Sequence, residues 1–342
     1  MLNFNEIGST FDNVSDAIDQ AKLLIKDERY ENAIELLKTE IKKVKKAKVN
    51  GSEEYYTFDE MFQFDMFIRF YAMGDKNNKK QKKHARIQPN VVWLTHPVAD
   101  LYYYCGYALV EIGDAAQAMN TLRMGLEWNP CSLDLRIEML NILKNQGDMD
   151  KVHSALREMY KFIYTPQSLS RFYRDKGYAY IEEKKWEAAI TSYFLSMAFT
   201  DDKDDIEKAR GELGYIEENM GREVVEPSTE ELLRIAHEFK IPVGIDERLL
   251  KLAEERFKQS IANNDSKSAD YYRGIYENKE ATIVNGEKLE ATDLIKEAQI
   301  ELDAQNYAKA LDLYHQAAMQ GDSEAMHALG MMYCRGRGSE KR

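Results

Sequence analysis

The chain repeats one short spacing, in which two small residues stand twelve positions apart inside an apolar pattern. The pairs are Ala21 and Ala33, Gly106 and Ala118, Gly177 and Ala189, and Ala298 and Ala310. Such pairs are typical of two helices that meet closely across a short turn. Repetition of a single helical hairpin predicts an array in which each hairpin buries its apolar face against the next.

The composition agrees with a chain of helical hairpins. The 342 residues include only 6 prolines and 18 glycines, and the apolar residues recur at helical rather than alternating spacing. We therefore expect an all-α fold, an αα superhelix or solenoid, and we expect no β-strand.

Charge and cysteine content exclude several function classes. The formal net charge is -12, which disfavours nucleic acid and anionic membranes as partners. The lysine runs at 42–48 and 76–86 lack interleaved aromatic residues and are interpreted as solvated segments. Cys105, Cys131 and Cys334 are too scattered for a disulfide framework or a thiolate metal cluster. With no signal-peptide pattern, we expect a cytoplasmic protein without cofactor or metal.

Two segments resemble known repeat families. Tyr102, Cys105, Gly106 and Leu109, followed by Ala118 and Leu122 and closed by Pro130, resemble the tetratricopeptide repeat (TPR). The segment 307–338, with its small residues Ala310, Ala317, Ala318, Ala325, Gly330, Gly336 and Gly338, closely resembles the related Sel-one-like repeat. These resemblances imply stacked helical hairpins whose concave face binds other proteins.

The pattern predicts five segments along the chain. They are a TPR-like hairpin at 1–48, an aromatic- and lysine-rich insertion at 49–98, a TPR array at 99–221, an irregular helical linker region at 222–290, and a TPR or Sel-one-like repeat at 291–342. Because the last repeat breaks off where its next helix would begin, we expect that it is truncated or that the native chain continues. The insertion either packs against the array or docks a partner, and burial of its aromatic residues distinguishes these alternatives.

The TPR resemblance implies that side chains of the first helix in each hairpin line an inner groove. Carried over residue by residue, it places Glu111 and Ile137 there, together with the candidate peptide-binding residues Tyr103, Tyr107, Asn141, Asn145, Arg171, Arg174 and Tyr178. Tyrosines offer rigid contact area, asparagines can bind a peptide backbone, and arginines can bind a carboxylate. The alternative is that the tyrosines pack between helices. The carboxylate clamp of chaperone-docking TPR proteins is matched poorly, since Tyr103 or Ile137 replaces its leading lysine.

Catalytic signatures are absent from the sequence. It contains no phosphate-binding glycine loop, nucleophile elbow or paired-histidine zinc helix, and its 6 histidines are dispersed. We therefore expect a protein that is not an enzyme. The first hypothesis is a bacterial-type scaffold or adaptor that binds a peptide or helix of a protein partner. The alternative is the sensory or targeting region of a larger enzyme or regulator, with its active domain beyond the C-terminus.

Overall fold

A computed structural model describes residues 10–50, 53–72, 90–277, 291–303, 306–319 and 323–334. The chain separates into two compact units, Met1–Ile283 and Val284–Arg342. None of the described helices is long and apolar enough to cross a lipid bilayer.

The first unit is built mainly from helices that pack in sequential pairs. Its helices are α1 (Val14–Lys26), α2 (Tyr30–Lys45), α3 (Met61–Phe67), α4 (Val98–Glu111), α5 (Ala115–Trp128), α6 (Leu133–Asn145), α7 (Met149–Tyr160), α8 (Pro166–Glu182), α9 (Trp186–Ala198), α10 (Lys203–Met220), α11 (Thr229–Glu238), α12 (Glu247–Ala262) and α13 (Ser266–Tyr276). A π-helical turn, Ile68–Ala72, follows α3. The main pairs are α1/α2, α4/α5, α6/α7, α8/α9 and α12/α13, and α2 also packs against α4.

The small residues meet the helix that faces them, as the twelve-residue spacing predicts. A Cβ atom added to Gly106 would lie 2.5 Å from the Leu122 side chain, and one added to Gly177 would lie 2.6 Å from the Tyr193 ring. Ala118 and Ala189, their partners in the sequence pattern, are fully buried. Only glycine lets these helices approach so closely. The predicted packing of consecutive helices into close hairpins is therefore confirmed.

Several helix ends also follow the sequence. Ser228 Oγ accepts a hydrogen bond from the Glu231 backbone N–H at 3.2 Å and so caps the N-terminus of α11, a role that serine commonly takes. Asp202 caps α10 in the same way, through the backbone N–H groups of Asp204 and Asp205. Gly221 ends α10 with a φ of 66°, in the left-handed region that glycine adopts readily.

The expectation that the chain has no β-strand is wrong. A small three-stranded sheet joins β1 (Val49–Asn50), β2 (Glu53–Thr57) and β3 (Asn90–Leu94). β1 pairs antiparallel with β2, and β2 pairs parallel with β3, in a register that sets Tyr55 opposite Val92. The alternating burial of β2 is too short to stand out beside the aromatic helix that follows it.

The aromatic residues of α3 pack inside the first unit. Phe62 is fully buried, and its ring centroid lies 5.0 Å from that of Tyr164. Asp65 forms an ion pair with Arg256 at 2.8 Å and accepts a hydrogen bond from Tyr272. These contacts tie α3 to α12 and α13, so the packing interpretation of this segment is confirmed for α3.

The second unit consists of α14 (Ala291–Asp303), α15 (Tyr307–Met319) and α16 (Ser323–Cys334). Its core contains Ala298, Ala310, Ala317 and Ala325, all fully buried. α15 packs against both other helices. Gly336 and Gly338, which carry part of the Sel-one-like resemblance, lie outside the described residues.

Candidate functional site

The candidate residues lie on three first helices of the array, α4, α6 and α8. Six of the seven are half-buried, and Asn145 is exposed. α4 packs against α6, and an ion pair of 2.8 Å between Lys144 and Asp175 joins α6 to α8. We call the surface that carries the seven candidate residues the first-helix face.

Glu138 of α6 connects the residues of this face. Its carboxylate is hydrogen-bonded to the Asn141 side chain and lies within electrostatic reach of Arg171 on α8. Its negative charge also helps to raise the pKa of Tyr103 and of Tyr107, both on α4. Burial, opposed by the Asn141 hydrogen bond, raises the pKa of Glu138 above its ordinary value. Four of the predicted residues thus lie within hydrogen-bonding or electrostatic reach of a carboxylate that was not among the candidates.

Carboxylates lie near the two candidate tyrosines of α4, Tyr103 and Tyr107. Burial, followed by the charges of Glu138 and Asp134, raises the pKa of Tyr103 to about 12. Burial and the nearby Glu111 also raise the pKa of Tyr107, although this ring is more open to solvent. Both phenols therefore stay protonated at neutral pH and can donate a hydrogen bond.

The two arginines are held by carboxylates of the chain itself. Arg174 pairs with Asp205 of α10 at 3.0 Å and donates to Ser170 Oγ at 2.9 Å. Arg171 contacts Asp175 at 3.4 Å, and this buried carboxylate also forms an ion pair with Lys144. A ligand carboxylate that approached either guanidinium would compete with these pairs.

Tyr178 and Ile137 show two different environments on the same face. The Lys144 ammonium lies 4.4 Å from the centroid of the Tyr178 ring, within cation–π range. Ile137, which the TPR resemblance placed in the groove, packs against the hydrophobic core.

A cavity of about 200 Å³ opens at the amino-terminal ends of α4 and α6. Its polar lining consists of Asp59, Asp100, Tyr103, Tyr104, Ser132 and Asp134. Burial, followed by the charge of Asp59, raises the pKa of Asp100 to about 6.

The sequence pattern missed these cavity carboxylates for identifiable reasons. Asp100 and Asp134 stand in the first turns of their helices, where an acidic residue ordinarily offsets the helix dipole. Asp59 belongs to the insertion, outside the repeat. Glu138 could have been found, because it lies one helical turn before Asn141.

No site for a metal ion emerges from the part of the chain that the structure describes. There, no group of three or more histidine, cysteine, aspartate or glutamate side chains is arranged to hold one. The first-helix face offers aromatic surface, hydrogen-bonding groups and carboxylates.

No protein-family model matches the sequence, and a search of curated proteins finds no match. Among solved structures, the chain is similar to a tetratricopeptide repeat protein from Parabacteroides merdae ATCC 43184. The two share 12% sequence identity over 94% of this chain and 99% of the other, with a TM-score of 0.34.

Proposed function

We propose that this chain is a non-catalytic scaffold or adaptor that binds a peptide or helix of a partner protein on the concave side of its repeat array. The first-helix face is the proposed binding surface. Its candidate contact residues are Tyr103, Tyr107, Asn141, Asn145, Arg171, Arg174 and Tyr178.

The observation that carries this proposal is the grouping of Tyr103, Tyr107, Asn141 and Arg171 around Glu138. Three successive hairpins contribute to this group, so an extended segment could contact all of them at once. Half-buried tyrosines add rigid contact area with little loss of side-chain entropy on binding. The asparagine amide adds a donor and an acceptor for a peptide backbone.

A reducing compartment suits the cysteines, and we propose the cytoplasm. Cys105 and Cys131 are buried free thiols. Burial raises the pKa of Cys105 to about 11 and that of Cys131 to about 12. Thiols with such high pKa values are weak nucleophiles at neutral pH. They therefore support a packing role rather than a catalytic one.

The test is selection of binders from a random-peptide library on the purified chain, followed by titration of the selected peptides. The binding variant is Tyr107→Ala. The matched control is Ile261→Ala, which removes an exposed apolar side chain of α12, outside the first-helix face.

We expect Tyr107→Ala to lower the affinity for the selected peptides by about tenfold or more, as loss of an aromatic anchor does at other interfaces. The control should bind like the original chain. Equal binding by both variants would place the peptide site elsewhere and refute the proposal, provided circular dichroism shows that both keep their helices.

A further inference from the structure

The two halves of the first-helix face differ in how their charges are balanced. On the α8 side, Lys144 and Arg171 share the carboxylate of Asp175, and Arg174 pairs with Asp205. The other half, carried by α4 and α6, contains Asp100, Glu111, Asp134 and Glu138 with Tyr103 and Tyr107. We call this second half the acidic half.

Cations do not neutralise the acidic half within the described residues. There, no lysine or arginine forms an ion pair with Asp100, Asp134 or Glu138. Lys22 influences Asp100 from a distance, but its ammonium pairs with Asp19 at 3.6 Å and lies 5.2 Å from the centroid of the Tyr104 ring. The positive charge of Arg171 acts to lower the pKa of Glu138, but the Arg171 guanidinium itself contacts Asp175.

The pKa directions of three side chains agree with this excess of negative charge. In addition to the effect of burial, nearby carboxylates raise the pKa of Tyr103, Tyr107 and Asp100. Burial raises the pKa of Glu138, and Asp134 and Glu111 add to this effect while Asn141 and Arg171 oppose it.

The acidic half also has a concave place for one side chain. The cavity of about 200 Å³ exposes carboxylates of Asp100 and Asp134 beside the rings of Tyr103 and Tyr104. Carboxylates accept hydrogen bonds from an ammonium or guanidinium group, and a tyrosine ring attracts the same cation through its face.

We propose that the partner segment is basic, and that one of its lysine or arginine side chains occupies this cavity while the flanking residues lie along Tyr103, Tyr107 and Glu138. This inference rests on the proposed peptide-binding function and adds the charge of the ligand to it. Charge complementarity favours a cationic segment and disfavours an acidic one, because an acidic segment would meet carboxylates that form no ion pair with the described residues.

The test uses the peptides selected from the random library, in two forms. In one form the lysine and arginine residues are intact, and in the other lysine is acetylated and arginine is replaced by citrulline. Each form is titrated against the original chain and against Asp100→Asn combined with Glu138→Gln. The control is Asp150→Asn combined with Glu187→Gln, which removes the same charge from exposed positions on the second helices α7 and α9.

We expect the selected peptides to be rich in lysine or arginine. Their affinity should fall about tenfold or more on neutralising either the peptide or the acidic half, and it should fall as salt is added. The control variant should bind normally. Because asparagine and glutamine keep the shapes of the original side chains, loss of folding is not expected, and circular dichroism checks it.

The two proposals fail in different ways. Neutral or acidic peptides that still depend on Tyr107, or basic ones that bind the Asp100→Asn, Glu138→Gln variant normally, would overturn the basic-ligand inference and leave the binding face intact. Selected peptides whose affinity does not depend on Tyr107, or the failure to select any peptide, would overturn both the peptide-binding proposal and the basic-ligand inference.

Discussion

Gly177 of α8 lies directly beneath the ring of Tyr193 on α9, so closely that an added Cβ atom would stand 2.6 Å from Tyr193 Cε2. The ring is 1% exposed and cannot move aside without disturbing its neighbours. This contact explains why the repeated pattern holds a glycine at position 177.

Gly177→Ala should destabilise the first unit. Overpacking of this kind costs about 1–3 kcal/mol, and thermal denaturation followed by circular dichroism would measure it. Gly211→Ala on α10 is the matched control, because nothing lies within 4 Å of the added atom. The control should stabilise the chain by roughly 0.5–1 kcal/mol, as alanine does in a helix interior. Similar effects of both substitutions would contradict the close helix contact.

A second prediction concerns Asp175, which ties α6 to α8. Its carboxylate is 4% exposed and receives both Lys144 and Arg171. Asp175→Ala leaves two cations without their shared partner and should cost about 2–4 kcal/mol. Asp201→Ala, at an exposed position before α10, should change stability by less than about 0.5 kcal/mol. A small effect at Asp175, measured by urea denaturation, would show that this ion pair contributes little.

A third prediction follows from the raised pKa of Asp100, about 6. The folded chain holds the Asp100 proton more tightly than the unfolded chain does. Protonation of Asp100 therefore contributes fully to the free energy of unfolding below about pH 4, and this contribution is lost as the pH rises through about 6. At pH 7 the charged Asp100 therefore opposes folding. Asp100→Asn should stabilise the chain there by roughly 1–2 kcal/mol, after allowance for partial solvent screening.

Denaturation of the original chain and of Asp100→Asn at a series of pH values checks this. The difference between them should grow from pH 4 to pH 7, whereas exposed Asp150→Asn should track the original chain. If the difference in stability between the two chains stayed constant across this range, the pKa of Asp100 would not be raised in the folded state.

A fourth prediction concerns Lys176, a lysine of α8 that is 5% exposed. Its ammonium donates a hydrogen bond of 3.4 Å to Tyr180 Oη, and burial lowers its pKa to about 8. The folded state releases this proton more readily than the unfolded state. The contribution to stability is therefore full above about pH 10.5 and is lost as the pH falls through about 8.

Lys176→Met should stabilise the chain at pH 7 by roughly 1–2 kcal/mol, because it removes a buried charge and keeps a long flexible side chain. Lys251→Met, at an exposed position of α12, should have little effect. Thermal denaturation at pH 7 and at pH 10 distinguishes an effect of charge from an effect of packing. If the charge of Lys176 is the cause, the stabilisation by Lys176→Met should be smaller at pH 10. An equal benefit at both values would point to packing rather than charge.

The sequence predicted the features that depend on neighbours within one hairpin. Gly177 and Tyr193, or Gly106 and Leu122, belong to the two helices of one hairpin, so their contact recurs at a fixed short distance along the chain. The strands β2 and β3 pair across a long insertion, and that pairing leaves no local periodicity to detect.

The site was only partly predictable for the same reason. Tyr103, Tyr107, Asn141 and Arg171 follow from the repeat resemblance, because equivalent positions of each hairpin face the same side. The pairing of Arg174 with Asp205 and the approach of Asp59 to Asp100 depend on contacts between hairpins and with the insertion. A single sequence does not encode such contacts as a short spacing.

Binding of a protein segment by the first-helix face is tested most sharply by titrating library-selected peptides against Tyr107→Ala. We expect the affinity to fall about tenfold or more, while Ile261→Ala binds like the original chain. Unchanged affinity for Tyr107→Ala, in a variant that keeps its helical melting transition, would show that the first-helix face is not the binding surface.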